Sequence, residues 1–224
     1  MGTITTAAII GKAQTILQDV TGTRWNSTEL LGWLNSGQRE IILYKPNANA
    51  KAAVIKLTAG TRQALPSDGV QLVDIIRNMG TNGTTPGRAI RQTARDTLDA
   101  ALPTWHSVTA DAVVRHYIFN FLDPKAFYVY PPQPAVNQGY IEMIYGALPT
   151  DATANGTISV DDIYENLLLD YVLYRAFSKE TEFSDQSAAN VHYAAFMAAL
   201  TGKAKTELGL NPSSAAPANT TTVS

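Results

Sequence analysis

The chain has 224 residues, enough for one good core or for a core carrying an inserted subdomain. With 45% hydrophobic and 16% charged residues and a net charge of −2, it is not a protein that grips nucleic acid through bulk positive charge, although a local basic strip stays open. It has no cysteine, which excludes disulfides, thiolate zinc sites and thiol nucleophiles.

The first helix is predicted from about Thr3 to Val20, where Ile9, Ala13, Ile16, Leu17 and Val20 fall at helical spacing and Thr21-Gly22 stops it. Asn26 caps a second helix, with Glu29 in the capping-box position. Its buried face is expected from Leu30, Leu31, Trp33, Leu34, Ile41, Ile42 and Tyr44, and Lys45-Pro46 ends it. Inside it, Asn35-Ser36-Gly37 marks a close helix crossing or a kink, since glycine lets backbones approach.

After Pro46 the pattern turns to β. Short strands are expected at Ala53–Leu57 and Gln63–Pro66, and Val70–Arg77 fits strand slightly better than helix. The stretch Asn78–Gly87 reads as an exposed connector, Arg88–Gln92 as a strand and Arg95–Ala101 as a short helix. Val113–Phe121 and Ala126–Tyr130 form a hairpin that Pro131-Pro132 terminates. Gly139–Tyr145 is expected beside them as the third strand of an antiparallel meander, and Ala147–Thr157 is a polar bridge.

Asp161–Lys179, DDIYENLLLDYVLYRAFSK, is a helix interrupted only by Glu165, Asp170, Arg175 and Lys179. A helix apolar nearly all round is buried on more than one side, and in a short chain another subunit is a candidate for the second surface. Leu169, Val172, Leu173, Arg175 and Phe177 are therefore candidate protomer-interface residues. A last helix follows from Asp185 to about Leu208, and from Gly209 onward there are no core-forming side chains.

The fold class is α+β. An antiparallel α-helical bundle is expected from residues 1–46 and 159–208, an antiparallel β-rich insertion from 47–158, and a flexible C-terminal tail from 209–224. No run reaches the roughly 18 apolar residues of a membrane span. The N-terminus lacks the basic region and cleavage site of a secretory signal, so cytosolic synthesis is expected. Met1-Gly2 with Thr6 fits a loose myristoylation pattern that recurs by chance. The sequons at Asn26, Asn82, Asn155 and Asn219 read as turn and cap chemistry.

No enzyme signature emerges. His106, His116 and His192 match no metal-ligand spacing, and no metal or cofactor is expected. Asp96 with Asp99, and Asp161 with Asp162, lack a flanking nucleophile, and capping accounts for the second pair. The aromatic run Tyr117, Phe119, Phe121, Phe127, Tyr128 and Tyr130 has too few basic neighbours for a base-stacking platform and reads as a sheet core. The Gly80–Arg88 loop matches no phosphate-binding spacing; it reads as a mobile surface loop and a candidate docking loop, with Asn82, Gly83 and Arg88 as its contact residues.

The series TGTRWNSTELLGWLNSGQREI, NMGTNGTTPGRAIR, LDAALPTWH, FYVYPP and IYENLLLDYVLYRAFSKE resembles the head-to-tail adaptor (connector) proteins of tailed phages over about Ile16 to Leu200. The resemblance implies a non-enzymatic virion protein at the head–tail junction, assembled as a ring of twelve copies. It implies a portal protein on one side, tail or nozzle proteins on the other, and DNA passing through the lumen without sequence-specific contact. A C-terminal segment docks into the portal in similar proteins, which here points to Leu210, Asn211, Pro212 and Pro217. The rival readings are another tail-completion or tail-tube protein and a small hydrolase with an unrecognised site.

Overall fold

The computed structural model describes residues 2–179 and 184–210, the side chains of 204–210 excepted. The chain divides into two compact units, Met1–Lys45 with Thr150–Ser224, and Pro46–Pro149. Among the described residues there are five α-helices and two sheets, a mixed α+β protein.

The helical unit begins with α1 (Thr6–Ile16) and α2 (Ser27–Tyr44). Helix α1 is shorter than the pattern predicts, because Thr5 caps it and Gln18 turns left-handed at φ 55°. The Asp19 carboxylate then gathers the N–H groups of Thr23, Arg24 and Trp25 at 2.8–2.9 Å, fixing the turn into α2. Ile16 and Val20, expected in the core, are consequently 49% and 75% exposed. Asn26 accepts from the Glu29 N–H at 2.8 Å, but the Glu29 carboxylate bonds Lys179 at 2.8 Å and leaves the capping box half formed.

A 3-10 turn at Asp162–Tyr164 opens into α4 (Glu165–Ser178), and α5 (Gln186–Leu210) follows. Helix α4 packs against α1, α2 and α5 of its own chain. The second burying surface expected from another subunit is thus supplied intramolecularly. Leu168, Val172, Leu173 and Ala176 are at most 1% exposed. Gly37 is the close approach of α2 to α4: a Cβ there would stand 2.9 Å from the Tyr171 ring. The Trp25 indole N–H donates to the Ala176 carbonyl at 3.2 Å, locking the start of α2 to the same helix.

The expected β-rich segment 47–158 ends at Pro149, since residues 150–158 are stitched to α1 and α2. Thr6 Oγ1 donates to the Thr153 and Ala154 carbonyls, and the Asn35 side chain pairs with both backbone groups of Ala152. The Gln38 side-chain oxygen accepts from the Ser159 N–H. These buried amides are satisfied, as burial demands.

The β unit holds β1 (Ala50–Lys56), β2 (Gly60–Ala64), β3 (Gly69–Asn78), β4 (Arg91–Gln92), α3 (Arg95–Ala101), β5 (His116–Phe119), β6 (Ala126–Gln133) and β7 (Tyr140–Ala147). One sheet runs β1-β7-β3 and the other β2-β6-β5-β4. The β5–β6 hairpin forms as expected, but β7 does not continue a meander: it lies between β1 and β3 in the other sheet. Strand β6 also runs through Pro131-Pro132 rather than stopping before them. Pairing with β5 starts at Tyr130, so these prolines need donate nothing to that neighbour.

Both sheets face one core that includes Leu72, Ile75, Ile90, Phe127, Ile141 and Met143. A second cluster of Leu98, Trp105 and Ile118, with Tyr128 and Tyr130 against it, forms under α3. Residues 88–93 bond to both sheets: the Ile90 N–H donates to Ile76, and the Arg91 and Thr93 N–H groups donate to Arg115 and Tyr117.

Candidate interaction site

The proposed interface residues on α4 separate in the structure. Val172 and Leu173 lie in the core of their own helical unit and are withdrawn as contact residues. Leu169 is half-buried and, with Gly11, Lys12, Thr15 and Ile16, lines a shallow open groove between α1 and α4. Arg175 is exposed, and Phe177 is half-buried with its ring stacked on His192 at 5.8 Å. Asp170, the other charge interrupting the helix, accepts a 2.9 Å bond with His192 Nδ1 on α5. Accessible apolar surface on the α1–α4 side therefore includes Ile16, which helical spacing places on the buried face of α1, beside Leu169, with Val20 exposed beyond the end of α1.

The loop with Asn82, Gly83 and Arg88 is tied down rather than free-hanging. Asn82 Oδ1 accepts from the Thr84 and Thr85 N–H groups at 3.0 and 3.2 Å. Gly83, at φ 76°, rests against the Tyr140 ring, and the Tyr140 N–H donates to Gly80 O at 2.8 Å. Arg88 follows it, exposed, on a backbone held by the buried side chain of Asn78. Of the portal-docking candidates, Leu210 ends α5, while Asn211, Pro212 and Pro217 lie outside the described residues.

The residues weighed as chemistry serve packing. His106 bonds Thr61 Oγ1 at 2.8 Å and stacks on Trp105, and His116 meets Thr93 Oγ1 at 3.3 Å and stacks on Tyr130. Asp99 accepts from the Trp105 indole at 2.7 Å, and that bond is the first cause of its carboxyl lying below the usual range. Asp161 caps the 3-10 turn, but Asp162 does something capping does not explain. It accepts from Thr3 Oγ1 and from the Thr3 and Ile4 N–H groups, which hold its carboxyl low and tether the chain start. Five of the six aromatics in the β5–β6 run pack into the two cores, whereas Phe121 at the hairpin tip is 77% exposed beside an equally exposed Leu122.

No curated protein matches the chain. The SU10 adaptor protein family matches residues 4–220. The chain belongs to that family. The resemblance to phage head-to-tail adaptors read from the sequence is thus of the right kind, and it covers both units. As an adaptor the chain is a phage structural protein, associating with other head and tail components in the virion. No helix among its described residues is long and apolar enough to cross a membrane.

Proposed function

We propose that this adaptor assembles as a ring of twelve copies between the portal and the tail, with DNA passing through the lumen. Membership of the adaptor family over residues 4–220 is the observation that carries the reading. In this reading the helical unit is an antiparallel bundle that supplies lateral contacts between copies, and residues 209–224 dock into the portal. The groove at Ile16 and Leu169, together with the exposed Val20, supports the lateral contact, because a folded unit with a satisfied core still leaves these apolar side chains open. Ring protomers need two such lateral surfaces, repeated head to tail. Val191 on α5, 65% exposed, lies on a candidate for the second. The tip of the Asn82–Arg88 loop, at Asn82 and Gly83, meets a tail component.

Native mass spectrometry and negative-stain imaging of the full chain, alone and mixed with a portal protein, test this. Rings on the portal are expected, with or without rings in the free protein. A chain that stays monomeric with portal present overturns the reading. A truncation after Leu208 that binds portal as well as the full chain removes the docking role of the C-terminal residues alone.

A further inference from the structure

We propose that the sheet edge carrying Arg88, Arg91 and Arg115 binds the phosphate backbone of duplex DNA. The net charge of −2 conceals a strong local imbalance: from Ile75 to Arg95 there are four arginines and no Asp or Glu. Among the described residues, four arginines are ion-paired: Arg39 to Asp151, Arg62 to Asp123, Arg77 to Glu142 and Arg95 to Asp99. Among the described residues, Arg88, Arg91 and Arg115 are the arginines whose guanidinium groups have no partner, and all three are exposed.

Their backbones are brought together by a built device. The Asn78 side chain, 4% exposed, donates to the Arg88 carbonyl at 2.9 Å and to the Val114 carbonyl at 2.8 Å, and accepts from the Val114 N–H at 2.8 Å. One buried amide thus holds the residue 88 segment against the residue preceding Arg115. Arg91 closes the cluster, its N–H donating to the Arg115 carbonyl at 3.3 Å while it pairs in register with His116.

Of the carboxylates around this edge, Glu142 is ion-paired with Arg77, while Asp74 and Asp111 are oriented by the Tyr117 hydroxyl and the Val113 N–H. Asp96, in the first turn of α3, is the nearest in sequence to Arg91 and Arg95. Three free guanidinium forks on segments tied together by hydrogen bonds suit phosphate oxygens. The exposed neighbours Thr81, Thr84 and Gln92 are neutral donors, the usual companions of arginine in backbone contacts. A protein partner would more naturally find an apolar centre, and the exposed large apolar side chains by this edge are Val113, next to Arg115, and Ile76, whose carbonyl accepts from the Ile90 N–H. The inference depends on the adaptor reading only for where DNA is met.

The test is fluorescence anisotropy of a fluorescein-labelled random-sequence duplex of about 20 base pairs, titrated with the full chain from about 20 to 150 mM salt. Wild type is expected to bind with log affinity falling linearly against log salt. The R88A/R91A/R115A variant should lose at least about tenfold at low salt, with the slope shallower by about 0.9 for each phosphate contact removed. R88K/R91K/R115K should retain most of the binding, and also guards against a triple alanine variant that fails to fold. K56A/K125A, which removes two unpaired lysines of the same unit, should stay near wild type. Absence of binding at the lowest salt overturns the proposal, as does equal loss in the lysine control. Binding of a poly-glutamate peptide in place of DNA, lost in the triple alanine variant, overturns it in favour of an acidic protein surface. Portal assembly scored on the same samples keeps failure here distinct from failure of the adaptor reading.

Discussion

At the scale of the residue, the adaptor is held by a few polar side chains that each close several backbone groups. Asp19 is the clearest. Its carboxyl lies below the ordinary value of 3.8, first because of the Trp25 N–H, with the Arg24 and Thr23 N–H groups and the Arg24 charge adding to this against the opposing effect of burial. A depressed folded-state pKa means stabilisation that is fully present above the unfolded pKa and lost as pH falls through the folded one. Asp19→Asn should therefore unfold at lower urea than wild type at pH 7. Its midpoint should also drop less than wild type's between about pH 5 and pH 2. Parallel pH profiles for the two proteins would contradict this assignment. None of this could be read from the sequence, where Asp19 stands as one more polar residue after a helix. The three N–H groups it collects belong to a turn that exists only once α1 stops early.

Elements show the opposite balance. The helix–strand–helix order, the strand at 69–78 and the bounds of α3 follow from periodicity and turn chemistry, because both act over a few residues. The reading of Gly37 as a close crossing also survives, and it yields a paired prediction on one helix. At Gly37 an alanine Cβ meets the buried Tyr171 ring at 2.9 Å, so overpacking of about 1–3 kcal/mol outweighs the roughly 1 kcal/mol helix-propensity gain. At Gly32 nothing lies within 4 Å, and the gain of about 0.5–1 kcal/mol stands alone. Urea titrations should accordingly find Gly37→Ala destabilised and Gly32→Ala stabilised. If both move the same way, α2 does not cross α4 at Gly37. What element-level reading missed was pairing: β7 leaves its sequence neighbour β6 for β1 and β3, a choice made by surfaces far away in the chain.

At the scale of the whole molecule, the question is which surfaces a ring would use. Of the five candidates from the sequence, Val172 and Leu173 are consumed by the chain's own packing, while Leu169 lies half-buried beside the exposed Ile16, with Val20 exposed beyond the end of α1. Ile16→Glu with Val20→Glu replaces two exposed side chains, so stability should change by no more than about 0.5 kcal/mol per site. Assembly on the portal should nevertheless be lost, because two carboxylates per copy would be desolvated in the lateral contact. Rings formed by this variant in negative stain would place the lateral contact elsewhere. An unfolded variant in a thermal melt would show these positions to be core after all.

By itself the sequence determined the class of elements, their order, the discontinuous origin of the helical unit and the resemblance to head-to-tail adaptors. Those properties depend on local periodicity and on wording that runs along the chain. Only the tertiary structure decided which side of each element is covered. An apolar stripe says that a helix must be buried, and is silent on whether a neighbouring helix or a neighbouring copy buries it. For α4 the answer is α1, α2 and α5 of the same chain. The arginine edge is the mirror case: its charges are plain in the sequence, but their being unpaired and held together by Asn78 depends on contacts between residues 78, 88, 91 and 114–115 that chain distance hides.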